Sequence, residues 1–430
     1  MDWIGTIIFA LIFFTLIMLS VALHEIGHMV PAKLFGVKVP RYFVGFGPTV
    51  FSRKVGETEY GLKAFPLGGF VSLLGMYPPG SKRYGKPSRL MELADAARAQ
   101  EWEDISEQDV AGERLVYQKK TWQKVVIMFG GPFMNILIAF VLFWGITAGY
   151  GVWQAQPVIS AVQDCVKPAS GATAACTDAD PPTPAAQAGV QPGDRIVAFN
   201  GTPISGYEQL TELIRANLDG AASITVERGG VRTELPPVHT MINQVADEWD
   251  PTATVAAGFL GVVPTQELVK GGPLQALGDM WTMTRQSAVA LAKFPVSVYF
   301  VAADMITGQP RSISSPMSIV GASWIAGEAV TAEGVPLEAR AVMFGSLLAS
   351  INLVLASFNL VPLPPLDGGH IAGALYEWLR RKVARLRGKL DPGPFDTAKL
   401  LPVAYGMWAF LLVCGIVLIV ADVVNPLRLF

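Results

Sequence analysis

Two of the chain's four histidines stand four residues apart around a glutamate, in the run "SVALHEIGHMV". On a helix that spacing turns His24 and His28 to one face, where both imidazoles can grip a single ion. Neutral imidazole suits zinc, and a catalytic zinc site takes three protein ligands and leaves a position for water. Glu25 stands beside the first histidine, placed to take a proton from that water and return it. The chemistry this pattern fits is metal-assisted hydrolysis of a peptide bond. The competing reading is a buried polar cluster that only pins helices together.

A third ligand is sought among ionisable groups close to apolar runs, because such a group at membrane depth marks function. Asp367 is the candidate. It lies in "SFNLVPLPPLDGGHIAG", where Pro362, Pro364 and Pro365 stop a helix and Gly368-Gly369 permit a tight turn. His370 is an alternative ligand in the same stretch, and Asp422 and Asp304 stand behind both.

The elements that must carry these residues are membrane spans. The sequence is 51% hydrophobic, with a mean hydropathy of +0.40, which excludes a wholly soluble class. Four spans of about 20 residues are expected, within residues 1–36, 125–148, 342–363 and 400–422. The opening "MDWIG" lacks the basic flank of a signal peptide, so the first apolar run is read as a retained helix. Within the connector 266–341, the stretch Trp281 to Ile306 is interrupted by Arg285, Lys293, Pro295 and Asp304 and is read as amphipathic, not spanning. A fifth span would also put the two functional segments on opposite sides of the membrane.

Lys and Arg crowd the segment from Lys33 to Lys124 and again between Arg380 and Lys399, in "LRRKVARLRGK", so the loops 78–124 and 364–399 are expected on the cytoplasmic side. The segment between the second and third spans is richer in Asp and Glu and is expected outside, together with both termini. Cys165 and Cys176 fall in that outer segment, where a disulfide can form. Cys414, inside the fourth span, reads as a small buried apolar residue. Net charge is only −2, and no nucleic-acid partner is expected.

Residues 37–77 alternate aromatic or β-branched residues with Gly and Pro, the pattern of a small, partly membrane-embedded sheet. Tyr60 to Gly69 is the expected edge for an unwound substrate. In the outer segment, after a Pro/Ala/Thr-rich loop, residues 155–265 read as a strand (Arg195 to Phe199), an Asn-Gly turn, a helix (Tyr207 to Asn217) and a strand (Ser223 to Glu227). Ala188-Gly189, Pro192-Gly193-Asp194 and Asn200-Gly201 resemble the signature of a PDZ domain. "GFLGVV" at Gly258 to Val263 resembles its groove strand in permuted position.

"HEIGH" in the first span, "GGPFMN" (Gly130 to Asn135) in the second and "NLVPLPPLDGG" (Asn359 to Gly369) after the third together resemble the site-2 protease family of intramembrane zinc metalloproteases. With one PDZ domain between the second and third spans, the chain is similar to bacterial regulators of envelope stress, in particular the actinobacterial type. The resemblance implies an α-helical polytopic protein of the bacterial inner membrane with a membrane-associated β region and an extracytoplasmic PDZ domain. It implies His24, His28 and Asp367 as zinc ligands, Glu25 as acid and base, and Asn359 as a substrate-positioning residue. "GFGP" and "PLGGF" match the family's β region, which puts Gly45, Gly47, Gly68 and Gly69 among the substrate-binding residues. The implied partners are the lipid bilayer, single-span membrane proteins such as anti-sigma factors or remnant signal peptides, and a peptide or carboxyl terminus at the PDZ groove.

Overall fold

The computed structural model describes residues 3–79, 89–166, 176, 180–246, 254–312, 315–332 and 334–427. Its helices are α1 (Trp3–Leu34), α2 (Arg89–Glu103), α3 (Glu107–Ala111), α4 (Thr121–Gly149), α5 (Pro184–Ala188), α6 (Tyr207–Asn217), α7 (Pro273–Thr307), α8 (Ile319–Thr331), α9 (Leu337–Asn359), α10 (Asp367–Leu386) and α11 (Leu401–Val424). Its strands are β1 (Arg41–Val55), β2 (Thr58–Ser72), β3 (Val152–Val162), β4 (Arg195–Phe199), β5 (Thr202–Pro203), β6 (Ala221–Ala222), β7 (Ile224–Arg228), β8 (Val231–Glu234), β9 (Val238–His239), β10 (Met241–Ala246), β11 (Thr254–Phe259) and β12 (Val262–Val269). Two compact units result, one of Met1–Phe143 with Leu277–Phe430 and one of Trp144–Ala276.

The first unit is apolar on its outside. Ile4 and Leu11 of α1, Val141 of α4 and Val413 and Ile416 of α11 are all exposed, as helices facing hydrocarbon require. Among the described residues five helices are long and apolar enough to cross a membrane, namely α1, α4, α7, α9 and the helix ending at Val424. The sequence reading expected four. The additional one, α7, runs unbroken for 35 residues through the polar interruptions and Pro295. The connector 266–341 holds the end of β12, all of α7, the short apolar helix α8 and the first turn of α9. The expectation missed α8 because its 13 residues are too few to register as a span.

Helix directions follow from cross-contacts. Phe13 meets Phe344 edge-on at 4.9 Å, and Asn352 Nδ2 donates to Ser20 Oγ at 3.1 Å, so α1 and α9 run parallel. Helix α4 runs against both, with Ile127 beside His28 and Leu142 packed against the Phe13–Ile17 cluster. Between α1 and α4 the backbones touch, and a Cβ on Gly27 or on Gly130 would overlap the other residue's carbonyl oxygen. Small residues allow such approach where lipid removes any hydrophobic drive between helices.

β1 and β2 bend back on themselves. Residues 41–44 have partners at 59–62 and also at 69–72, while 59–62 have further partners at 51–54. This corrects the expected substrate edge: Tyr60 to Leu62 already has a neighbour on each side, and Gly69–Ser72 forms the outermost segment next to α1. Gly45 and Gly47 adopt φ of 89° and 84°, which lets β1 bulge against Phe65. At the base of the sheet Lys38 Nζ meets Asp109 at 2.7 Å, and Glu101 accepts from the Met76 and Tyr77 amides.

The second unit is a sheet in the order β12-β3-β4-β7-β8, with β5 beside β4, closed over Leu210 and Ile214 of α6. Strand β4 and helix α6 keep the expected limits, and β7 begins one residue later than expected. Asn200 and Gly201 both take positive φ, the Asn-Gly hairpin turn anticipated from composition. The Asp194 carboxylate accepts from Arg228 Nε and Nη2, each at 2.7 Å, which locks the Pro-Gly-Asp turn. Cys165 and Cys176 are joined in a disulfide. Most of the Pro/Ala/Thr-rich loop lies outside the described residues.

Asp422, weighed as a metal ligand, is engaged elsewhere. Its carboxylate accepts from Arg311 Nη1 at 2.7 Å and from the Ser318 amide at 2.7 Å, tying the start of α8 to the end of α11. The Arg311 side chain is wholly buried. Removing one partner of such a pair strands the other charge, whereas replacing both by apolar groups is often tolerated. Asp422→Ala is expected to lower stability by about 3–5 kcal/mol in denaturant unfolding of the solubilised protein, and Arg311→Met with Asp422→Leu to recover most of it.

Candidate metal centre

His24 and His28 lie on the buried side of α1, exposed by only 8% and 4%. Their Nε2 atoms are 3.2 Å apart, with the rings nearly perpendicular at 81°. Asp367 Oδ2 lies 3.3 Å from each Nε2. These three residues offer ligand atoms that all lie within 4.8 Å of one another. The parallel course of α1 and α9 brings the end of α9 level with the histidines, and the turn from Leu360 to Leu366 returns the chain to them.

The turn itself differs from expectation. Gly368 and Gly369 sit in the first turn of α10, not in a turn of their own. Glycine is required there for closeness: a Cβ on Gly368 would overlap the Leu360 and Val361 carbonyls, and one on Gly369 the Leu363–Pro364 backbone. The three prolines end α9, and the carboxylate of Asp367 then stands at a helix N-terminus, where the backbone dipole favours negative charge.

Local chemistry prepares the donors. His28 Nδ1 lies 2.8 Å from the Ile127 carbonyl, so it carries the proton and leaves the Nε2 lone pair free for a metal. Pro132, inside α4, has no N–H for the Met128 carbonyl and loosens the turn that presents Ile127. Gly131 forms the back wall, where a Cβ would overlap Nε2 of both histidines.

The donor set fits a metal ion. Two imidazole nitrogens and a carboxylate oxygen converge at these distances, and a proton or a metal cation between them offsets their mutual repulsion. His24 Nδ1 and Asp367 Oδ2 are buried without a hydrogen-bond partner among the described residues. Two nitrogens and one carboxylate oxygen form a donor set that zinc accepts.

Glu25 lies beside this group, and its Oε2 accepts from the Val71 amide at 2.9 Å. The carboxylate that the sequence reading takes as acid and base is thus moored to the outermost segment of the sheet. His24, His28, Asp367, Glu25, Gly68, Gly69 and Asn359 line one cleft of about 470 Å³. Gly45 and Gly47 are not among its lining residues. His370 borders the cleft but is outside the ligand group, and Asp304 does not line it.

Sequence reading gave Asn135 no role of its own. It is buried to 1% exposure, lines the cleft, and its Oδ1 has no hydrogen-bond partner among the described residues. An amide in an otherwise apolar span was the available signal.

Comparison with known proteins agrees in extent with this architecture. The model of peptidase family M50 matches residues 12–390. The chain is 37% identical over 440 residues to zinc metalloprotease Rip1 of Mycobacterium tuberculosis, covering 99% of this chain and 98% of that one. It is 36% identical over 442 residues to zinc metalloprotease Rip1 of Mycolicibacterium smegmatis, covering 99% of each.

The back wall supplies a test. Gly131→Ala is expected to push both imidazoles apart and reduce zinc retained after dialysis by about tenfold or more, measured by elemental mass spectrometry. Gly145→Ala, in the same helix with open space around it, is expected to leave zinc content unchanged.

Proposed function

The chain belongs to peptidase family M50, and on that premise we propose that it cuts single-span membrane proteins within or near their transmembrane helix. It is a zinc metalloprotease, as its relatives are named. The observation that carries the proposal is the approach of Asp367 Oδ2 to both histidine Nε2 atoms at 3.3 Å, inside a cleft walled by apolar helices.

His24, His28 and Asp367 would hold the zinc. When bound, zinc supplies Lewis-acid chemistry, polarising a peptide carbonyl and making water a stronger nucleophile at neutral pH. Glu25 takes the proton from the attacking water and delivers it to the departing amide nitrogen. Because Oε2 is held by the Val71 amide, Oε1 is the oxygen left to carry that proton. Asn359, on the rim of the cleft, hydrogen-bonds the substrate backbone. A transmembrane helix hides its peptide bonds in its own hydrogen bonds, so a cut requires local unwinding. Gly68 and Gly69, with no side chains to block approach, receive the unwound strand beside the sheet.

The proposed topology has four crossings. Helices α1 and α9 run parallel and α4 opposes them, so the segment between α4 and α9 starts and ends on one side. Among the described residues of that segment only α7 is long enough to cross, and α8 is too short to return. Helix α7 accordingly does not span, and the basic loops lie in the cytoplasm.

We further assign the second unit as an extracytoplasmic PDZ domain. Among the described residues β12 pairs only with β3, and its other edge suits an added peptide strand. Anti-sigma factor-like proteins and remnant signal peptides fit the single-span class.

Glu25→Gln is expected to abolish cleavage of a helical reporter in proteoliposomes while zinc content stays near the wild-type value; parallel loss of zinc would make Glu25 a structural residue instead. Removing residues 187–263 separates two roles for the second unit. A size filter predicts that untrimmed substrates are now cut, and a carboxylate receptor predicts that cleavage fails.

A further inference from the structure

The helix that begins with Asp367 continues for 20 residues, far beyond what the metal centre needs. One face of α10 is seated on protein. Gly373, Ala374 and Glu377 are buried there, Glu377 accepts from Lys124 Nζ at 3.0 Å, and it also accepts from the Phe395 amide. Arg380 donates to the Gly393 carbonyl at 2.7 Å.

The opposite face has a different character. Leu375, Leu379 and Leu386 fall within about 40° of one another around the axis, Trp378 flanks them, and all four are exposed. Beside this arc Lys382, Arg385, Arg387 and Lys389 are exposed as well. No acidic residue occurs between Trp378 and Leu390. The Lys382 ammonium rests 4.8 Å over the Trp378 ring, which holds its charge at the border of the apolar arc.

We propose that α10 and the residues up to Leu390 bind a surface of anionic phospholipid, with the leucine arc at the acyl boundary and the four cations among the phosphates. Charge selects this occupant. An apolar arc alone would suit a protein groove, but a cationic rim free of acids from Trp378 to Leu390, with the following Asp391 paired to Arg381, matches the headgroup plane of an anionic leaflet. The basic loops are assigned to the cytoplasmic side, where anionic lipid attracts juxtamembrane Lys and Arg. Long cationic side chains reach the phosphates while their methylene stems cover apolar surface. The anchored helix has Asp367 as its first residue, so the lipid contact fixes the far end of the element that presents this carboxylate. The proposal does not depend on the protease reading.

The test uses the full chain in nanodiscs of phosphatidylcholine alone and of phosphatidylcholine with roughly one-third phosphatidylglycerol. Amide hydrogen exchange across 375–390 is expected to slow by about tenfold with the anionic lipid, and the slowing to weaken at high salt. The combined variant Lys382→Gln, Arg385→Gln, Arg387→Gln, Lys389→Gln is expected to exchange like wild type in phosphatidylcholine and to show no slowing with phosphatidylglycerol. Equal exchange of the wild type in the two lipids overturns the proposal, as does a variant that keeps the anionic-lipid effect.

Discussion

Three donor atoms meeting from two helices far apart in sequence is the constraint on which the first unit is built. His24 and His28 come from α1, and Asp367 opens α10 directly after the turn that ends α9, so α1 and α9 must lie parallel and level. Helix α4 must then come close enough for its Ile127 carbonyl to fix the His28 ring. Glycine permits that approach: Gly27 and Gly130 let the backbones touch, and Gly131 leaves room for both imidazoles. Gly368 and Gly369 do the same where α10 turns back under α9. Each of these positions is small because another group occupies the space of its Cβ, not because the backbone needs an unusual torsion.

The sheet is the second constraint, and it is joined to the first through Glu25. The carboxylate belongs to the same helix as the histidines, yet its hydrogen bond goes to Val71 on the outermost segment of the sheet. Gly69 packs against the Glu25 side chain, where a Cβ would stand 3.3 Å from Cγ. Glu25 and the outermost segment of the sheet are therefore fixed to each other, and a shift of the sheet would move both.

Much of this was legible in sequence, for reasons particular to each residue. His24 and His28 could be placed together because four residues on a helix return to one face. Asp367 could be suspected because an acid beside an apolar span is costly unless it is used. Strand β4, helix α6 and the Asn200-Gly201 turn were readable because their patterns are local. What escaped was non-local. The two-sided pairing of Tyr60 to Leu62 depends on β1 folding around β2, which no alternation of residue types encodes. Helix α8 is too short to announce itself, and the tightness at Gly130, Gly131 and Gly368 depends on a second chain segment that sequence does not place. In α7, Arg285 and Lys293 interrupt an apolar run without breaking the helix.

Polar residues inside the spans also acquire a reason. Apolar helices in lipid gain nothing from contact with one another that lipid would not supply, so association relies on close packing and on hydrogen bonds between helices. Ser20 accepts from Asn352 between α1 and α9, Thr6 meets Thr331 between α1 and α8 at 2.9 Å, and His28 meets Ile127 between α1 and α4. The three contacts lie at successive depths along α1, and each fixes a different neighbour. The metal centre is then the last of a series, since the imidazoles that would hold zinc also hold α4 in place. A helix bundle that opens a polar cleft gives up packing at that level, and the cross-helix bonds above it offset the loss while leaving the cleft free for substrate.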